Sequence, residues 1–172
     1  MNSPMNFKKW VEDNRHLLKP PVGNKCIYRS DSFIVMCVGG PNARTDFHVN
    51  ESDEYFYQIE GKMFLRTINK EGKVEETHLA AGDMFMLPAL VPHSPQRAEG
   101  SIGLVVELTR PEGSQDGLRW YCANCLNKLY EEFFYLENIE TQFGGVYERY
   151  FNSDHTKCKS CQHENGKVWN PS

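Results

Sequence analysis

The apolar positions change period twice along the chain, and those changes divide it. Phe7, Trp10 and Val11, with Leu17 and Leu18 following more loosely, recur at helical spacing and predict one amphipathic N-terminal helix. Pro20 and Pro21 end it, because proline removes a backbone donor and restricts the residue before it. From residue 26 to about 109 the pattern turns to strand. The runs FIVMCVGG (33–40), EYFYQIEG (54–61), KMFLRTIN (62–69), MFML (84–87) and IGLVVELT (102–109) are short and rich in β-branched and aromatic residues. Gly, Pro, Asn and Asp clusters separate them, and Asn69 to Gly72 reads as a hairpin turn into KVEETHL (73–79). Many short strands with frequent turns predict a mainly β fold, an antiparallel sandwich or barrel. After the run PEGSQDG (111–117) the character shifts again: NCLNKLYEEFFYLEN (124–138) suits a helix, and a loop-rich tail follows. The expected division is therefore a barrel with its N-terminal helix over 1–117 and a helix-plus-loop tail over 118–172.

Composition narrows the function classes. At 172 residues the chain is long enough to bury a good core, and its formal charge of -4 and pI near 5.9 argue against a nucleic-acid surface. No run of about eighteen apolar residues is present, so no membrane span is expected. The first residues have no uninterrupted apolar core, which argues against a secretory signal. The expectation is a cytoplasmic chain whose cysteines stay reduced.

His48, Glu54 and His93 carry the sharpest chemistry. They stand in Gly40-x7-His48-x-Asn50-x3-Glu54-x6-Gly61 and Gly82-x5-Pro88-x4-His93. Two imidazoles and one carboxylate on one face of a divalent metal leave the opposite positions open, as a non-haem Fe(II) oxygenase requires. Six residues of extended strand cover about 20 Å, too far for His48 and Glu54 to share an ion. The chain must reverse between them, and Asn50 to Asp53 has turn chemistry. His93 arrives from another strand after the corner at 88–92. The bland alternative is three unrelated polar residues at strand ends.

A second set, Cys122 and Cys125 with Cys158 and Cys161, forms two CxxC pairs. Four thiolates fill a tetrahedral metal and leave no vacancy, so a structural role is expected; from composition alone the metal would be zinc. Thioredoxin-like redox chemistry lacks its βαβ context here. Cys26 and Cys37 are read as small buried hydrophobes. His16, His78, His155 and His163 receive no role, and Trp120 and Tyr121 are read as packing under the tail.

The paired glycine, histidine and proline positions resemble the two motifs of the cupin superfamily, small jelly-roll barrels that bind metal in their mouth. Asn50 stands where many cupins have another histidine, Leu90 replaces a glycine and Arg97 an asparagine. Within the superfamily, LKPPVGNK (18–25), GGPNARTDFHVNESDEYFYQIEG (39–61), AGDMFMLPALVPHSPQR (81–97) and RPEGSQDGLRWYCANC (110–125) are similar to the 3-hydroxyanthranilate 3,4-dioxygenase family, over nearly the whole chain. The cysteine-bearing tail resembles its shorter microbial members.

That resemblance implies opening of the 3-hydroxyanthranilate ring by O2 at a catalytic Fe(II) held by His48, Glu54 and His93. The product, 2-amino-3-carboxymuconate semialdehyde, cyclises to quinolinate, a precursor of NAD. The resemblance also implies a substrate carboxylate held by Arg97 with help from Glu107, Arg44 on the oxygen side, iron in the four-cysteine site, and a homodimer. Arg44 lies four residues before His48 and Arg97 four after His93; on strands, that even spacing would turn both toward the ligands' face. Guanidinium can grip a carboxylate through two parallel hydrogen bonds. In IGLVVELT the even positions form one apolar face, so Glu107 points the other way, to solvent by pattern or to a polar pocket by resemblance. Asn24 is read as a plain turn or as part of a loop over substrate. Two rivals remain from the residues themselves: a metal-dependent cupin isomerase or epimerase, and a regulatory module with the cysteine tail as a nucleic-acid finger. The acidic balance argues against the second. Two rubredoxin-type positions, each directly after the second cysteine of a pair, commonly hold glycine; here they hold Leu126 and Gln162.

Overall fold

Two antiparallel sheets face each other across one apolar interior. The computed structural model describes residues 3–19, 23–42, 44–138 and 141–166. Its strands are β1 (Asn24–Arg29), β2 (Phe33–Gly39), β3 (Phe47–Val49), β4 (Glu54–Glu60), β5 (Lys62–Ile68), β6 (Val74–Ala80), β7 (Met84–Leu87), β8 (His93–Arg97), β9 (Ile102–Leu108), β10 (Asp116–Tyr121) and β11 (Lys128–Phe134). The helices are α1 (Phe7–Asn14) and α2 (Gln142–Phe151). One sheet runs β1-β2-β9-β4-β7 and the other β11-β10-β3-β8-β5-β6. Inward residues of both sheets, including Met36, Phe56, Leu65, Leu87 and Val105, form the core. The mainly β, two-sheet architecture with a helix near each end agrees with what the sequence implied.

Alternation decides which residues face in. In β9 the odd positions Gly103, Val105 and Glu107 are buried, while Leu104 and Val106 are half-buried and Leu108 is exposed. The apolar even face is therefore the outer one. Phe33, Tyr57, Met84 and Met86 are exposed as well, and register places Met86, Tyr55 and Val106 side by side. Part of that outer side lies under α1, whose Val11 packs with Leu18, Cys37 and Ile102. Asn6 caps α1 by accepting from the Lys9 N–H at 2.9 Å. Pro20 and Pro21, expected to end this region, lie outside the described residues.

Three sheet crossings set the site. Chain segments 50–53, 88–92 and 109–115 each carry the backbone between sheets, joining β3 to β4, β7 to β8 and β9 to β10. The Asn69 turn forms as expected, with the Gly72 N–H donating to the Asn69 carbonyl at 2.9 Å. Gly72 has φ +76, a conformation glycine takes without strain.

The tail departs from expectation. Residues 128–134, read as helix, form β11 instead. Leu126, Leu129, Tyr130, Phe133 and Phe134 match a helical template, but pairing with the free edge of β10 prevails, with Trp120 opposite Tyr130 and Asp116 opposite Phe134. Arg119 and Lys128 both pair with Glu131 along this ribbon. The helix comes later, over Gln142–Phe151, despite Gly144 and Gly145, each of which costs helix propensity roughly 1 kcal/mol. Burial of Phe143, Val146 and Tyr150 offsets that cost. Tyr150 stacks on the fully buried Trp120 with ring centroids 4.3 Å apart. Because β10 pairs with β3, it runs through the border expected after residue 117. Cys37 is buried as expected, whereas Cys26 is exposed, on the side of β1 where Tyr28 is exposed as well. Among the described residues no helix is long and apolar enough to cross a membrane.

Candidate functional site

The crossings bring His48, Glu54 and His93 together. His48 and His93 are Cα partners in β3 and β8, and Glu54 opens β4 on the facing sheet. Glu54 Oε1 lies 3.2 Å from His93 Nε2 and 3.5 Å from His48 Nδ1. One donor atom from each of the three lies within 4.8 Å of the others. All three residues are buried. Two imidazole nitrogens and a carboxylate oxygen are donors suited to a first-row divalent metal. Asn50, at the position of the missing cupin histidine, donates from Nδ2 to Glu54 Oε1 at 2.8 Å, so it holds the carboxylate instead of adding a ligand. Leu90 takes the place of the cupin glycine with φ +64, its N–H bonded to the Asn50 carbonyl.

Charges around the triad are strongly perturbed. Burial disfavours the charged form of His48, but hydrogen bonds to Asp116 and Glu54 outweigh it and raise its pKa to about 9. Burial works against the Glu54 carboxylate too, yet the charge of His93 and the bonds to both rings hold it well below the usual range. The neighbouring imidazoles thus compensate a buried anion, the task a metal cation would also perform.

A cavity of about 680 Å³ opens from this triad. Arg44, Arg97, Glu107 and Asn24 line it, together with Phe143 and Tyr147 from α2. Arg97 sits on β8, its side chain on the same face as His93, as spacing predicted. Its guanidinium is buried; Nη1 meets the Gln58 amide oxygen at 3.3 Å and Nε has no hydrogen-bond partner among the described residues. Burial lowers its pKa to about 10. Gly103 makes this placement feasible, because a Cβ there would lie 2.6 Å from Arg97 Nη1.

Glu107 faces inward and is buried, its Oε2 2.6 Å from Arg110 Nη1. Burial, reinforced by the charge of Glu54, raises its pKa to about 7 against the pull of Arg110. Arg44 precedes β3 instead of lying on a strand, so strand alternation does not explain its direction. Its Nε and Nη2 donate to Asp46 at 3.2 and 2.5 Å, and the Tyr147 hydroxyl donates to the same carboxylate at 2.6 Å. Phe143 closes this corner, its ring 5.4 Å from that of His48 and 5.6 Å from the Arg44 guanidinium carbon. Asn24 begins β1 beside the cavity; residues 20–22 before it lie outside the described residues. Sequence reasoning missed Asp46, Arg110, Asp116, Phe143 and Tyr147. No local motif marks them, since their partners are distant in sequence or in runs that read as loop or tail.

The four cysteines meet beyond the C-terminal end of β10. Cys122 and Cys161 sulfurs are 3.5 Å apart and those of Cys125 and Cys158 3.6 Å. These spacings exceed a disulfide and suit the edge of a tetrahedron with metal–sulfur bonds of about 2.3 Å. The two pairs repeat one geometry: Leu126 N–H bonds to Cys122 O at 2.9 Å, and Gln162 N–H to Cys158 O at 2.8 Å. Leu126 and Gln162, standing where glycine is common, take φ +58 and +64. Buried Asn165 ties the second knuckle to the first, donating to the Tyr121 carbonyl and accepting from the Ala123 N–H.

Comparison with known proteins gives the chain's relatives. A family model described as 3-hydroxyanthranilic acid dioxygenase matches residues 1–151. A 3-hydroxyanthranilate 3,4-dioxygenase from Xanthomonas euvesicatoria pv. vesicatoria is 54% identical over 161 residues, covering 93% of this chain and 90% of the relative. One from the yeast Lodderomyces elongisporus is 47% identical over 169 residues, covering 98% and 95%. Among solved structures, a cupin-2 domain protein from Shewanella frigidimarina superposes with TM-score 0.49 at 20% identity, over 61% of this chain and 94% of that one.

Proposed function

The chain belongs to the 3-hydroxyanthranilic acid dioxygenase family, and from that premise we propose that it opens 3-hydroxyanthranilate with O2 at an Fe(II) held by His48, Glu54 and His93. The ring is cut between its hydroxyl-bearing carbon and the adjacent unsubstituted carbon, so that the first becomes a carboxylate and the second an aldehyde. The product, 2-amino-3-carboxymuconate semialdehyde, cyclises to quinolinate and feeds NAD synthesis.

The observation that carries the reading is a buried arginine without an anionic partner among the described residues, placed on the same strand face as His93. A buried guanidinium whose charge is met only by a neutral amide oxygen favours a carboxylate from outside the chain. In the proposal Arg97 takes the substrate carboxylate, and Glu107, holding a proton at about pH 7 or below, donates the neighbouring hydrogen bond. Two neutral imidazoles and one carboxylate would hold a ferrous ion at a net charge near +1, to which an anionic aminophenol is complementary. Bound iron would supply the electron exchange with O2 that redox-inactive zinc cannot. Arg44, fixed by Asp46 and Tyr147, is assigned to the oxygen side. Phe143 and Phe56 wall the ring and exclude water. The second metal, iron by family resemblance, fills the four-cysteine site and fastens α2 to the barrel.

We further assign the protein to the cytoplasm and to a homodimer whose partner covers the exposed outer face around Phe33, Met84 and Met86. Light scattering at two concentrations tests the dimer. Oxygen uptake with 3-hydroxyanthranilate tests the chemistry: the iron-loaded protein should consume one O2 per substrate and the zinc-loaded protein none. Equal turnover with zinc would favour a Lewis-acid isomerase instead.

A further inference from the structure

His48 is held from behind by Asp116 and Arg110, two charged residues to which the roles above give no part. Its Nε2 lies 2.6 Å from Oδ2 of Asp116, a fully buried carboxylate at the start of β10. Arg110 donates to both oxygens of that group, Nε to Oδ1 at 2.9 Å and Nη2 to Oδ2 at 2.6 Å. Its remaining nitrogen, Nη1, is the one that reaches Glu107. A single cation in the 109–115 crossing thus joins a carboxylate behind His48 to a carboxylate lining the cavity.

An imidazole binds metal through one nitrogen, and the hydrogen bond at the other fixes its tautomer and ring plane. An ionised carboxylate accepts only, so Asp116 puts the hydrogen of His48 on Nε2 and leaves the Nδ1 lone pair facing Glu54. His93 is oriented differently: its Nδ1 lies 2.9 Å from the Val91 carbonyl, leaving Nε2 toward Glu54. The two rings present opposite nitrogens, one backed by an anion and the other by a neutral carbonyl. A simple loop-fastening ion pair would need only Arg110 and Asp116. The additional donor from His48 is set by register, since His48 pairs with Leu118 two residues along the same strand.

We infer that Asp116 is a positioning residue that locks the tautomer and donor strength of His48, and that Arg110 couples this lock to Glu107. The inference rests on reading the triad as a metal site. It is tested with the full-length protein by titrating metal-free wild type, Asp116→Ala, Asp116→Asn and Glu54→Ala with Mn(II), which favours nitrogen and oxygen donors over thiolates, and counting free Mn(II) by EPR. Long-range ¹H–¹⁵N correlation on the zinc-loaded protein reports which His48 nitrogen carries hydrogen. Asp116→Ala should weaken Mn(II) binding roughly 10–100-fold and scramble the His48 tautomer while leaving that of His93 intact; Asp116→Asn, which keeps an acceptor, should fall between. Wild-type affinity with an unchanged His48 tautomer in the variants would overturn the inference, and the Asn variant decides it if the Ala variant does not fold. Unchanged Mn(II) binding by Glu54→Ala would sink the metal-site reading beneath it, and the inference with it.

Discussion

The two ligand clusters are built by opposite means. The cysteine set comes from two copies of one local knuckle, each closed by its own backbone hydrogen bond, with the first cysteine of each pair buried and the second partly or fully exposed. The histidine–glutamate set comes from three strands in two sheets, and no short segment contains it. Four thiolates saturate a tetrahedral ion, whereas three donors at the base of a cavity leave positions for reactants. The lesson is that donor count and surroundings separate fastening from chemistry, even though both clusters hold their donors at similar spacing.

The sharpest way to break this comparison is to remove one ligand from each cluster. Glu54→Ala should cost activity by more than the roughly 100-fold attributable to an outer hydrogen-bond partner, with the fold retained by circular dichroism. Cys125→Ser should instead lower the metal content at the tail and the melting temperature, on the order of 5 °C, with catalysis affected less than by His93→Ala. Loss of turnover from a fully folded Cys125→Ser would promote the cysteine site to a catalytic one. Next, Arg97→Ala should raise KM roughly 10–100-fold, the worth of about 1.5–3 kcal/mol of charged hydrogen bonding, while the metal content stays unchanged.

The pH response of the metal-free protein sharpens the contrast further. Glu107 titrates at about 7 in the fold against an ordinary 4.5, and His48 at about 9 against 6.5. In each case the folded chain binds the extra proton, so stability is highest below the ordinary value and falls as pH rises through the shifted one. Their contribution to the melting temperature without metal should decline between pH 4.5 and 9. The difference between wild type and Glu107→Gln isolates the lower part of that decline from the opposing effect of the Cys161 thiol, which is lowered to about 6. The smallest effect belongs to the knuckles. Leu126→Gly relieves a left-handed residue worth roughly 1–2 kcal/mol but adds chain entropy when unfolded, leaving a gain under about 1 kcal/mol, read by chemical denaturation.

The parts legible in the sequence are those whose signals are local or modular. The strands announced themselves by short β-branched runs, the Asn69 turn by its residues, and the clustering of the histidine–glutamate and cysteine sets by spacing. What stayed hidden depends on distant partners. Residues 128–134 carry a helical apolar pattern, and the open edge of β10 overrode it. Glu107 lies on the less apolar side of β9, but that side faces the cavity, while the apolar side lies outward and partly under α1. Asp116 reads as the end of a turn-rich run, and its meaning appears when β10 is laid beside β3. Arg44 was expected to be aimed by strand alternation; it is aimed by Asp46 and Tyr147, a hundred residues apart in the chain.

The account is tested most directly by an anaerobic crystal structure of the iron-loaded protein with 3-hydroxyanthranilate. It predicts iron bonded to His48 Nδ1, Glu54 and His93 Nε2, with the substrate carboxylate on Arg97 and its amino and phenolate groups toward the metal. Iron confined to the four cysteines, or a substrate lying away from Arg97, would contradict it.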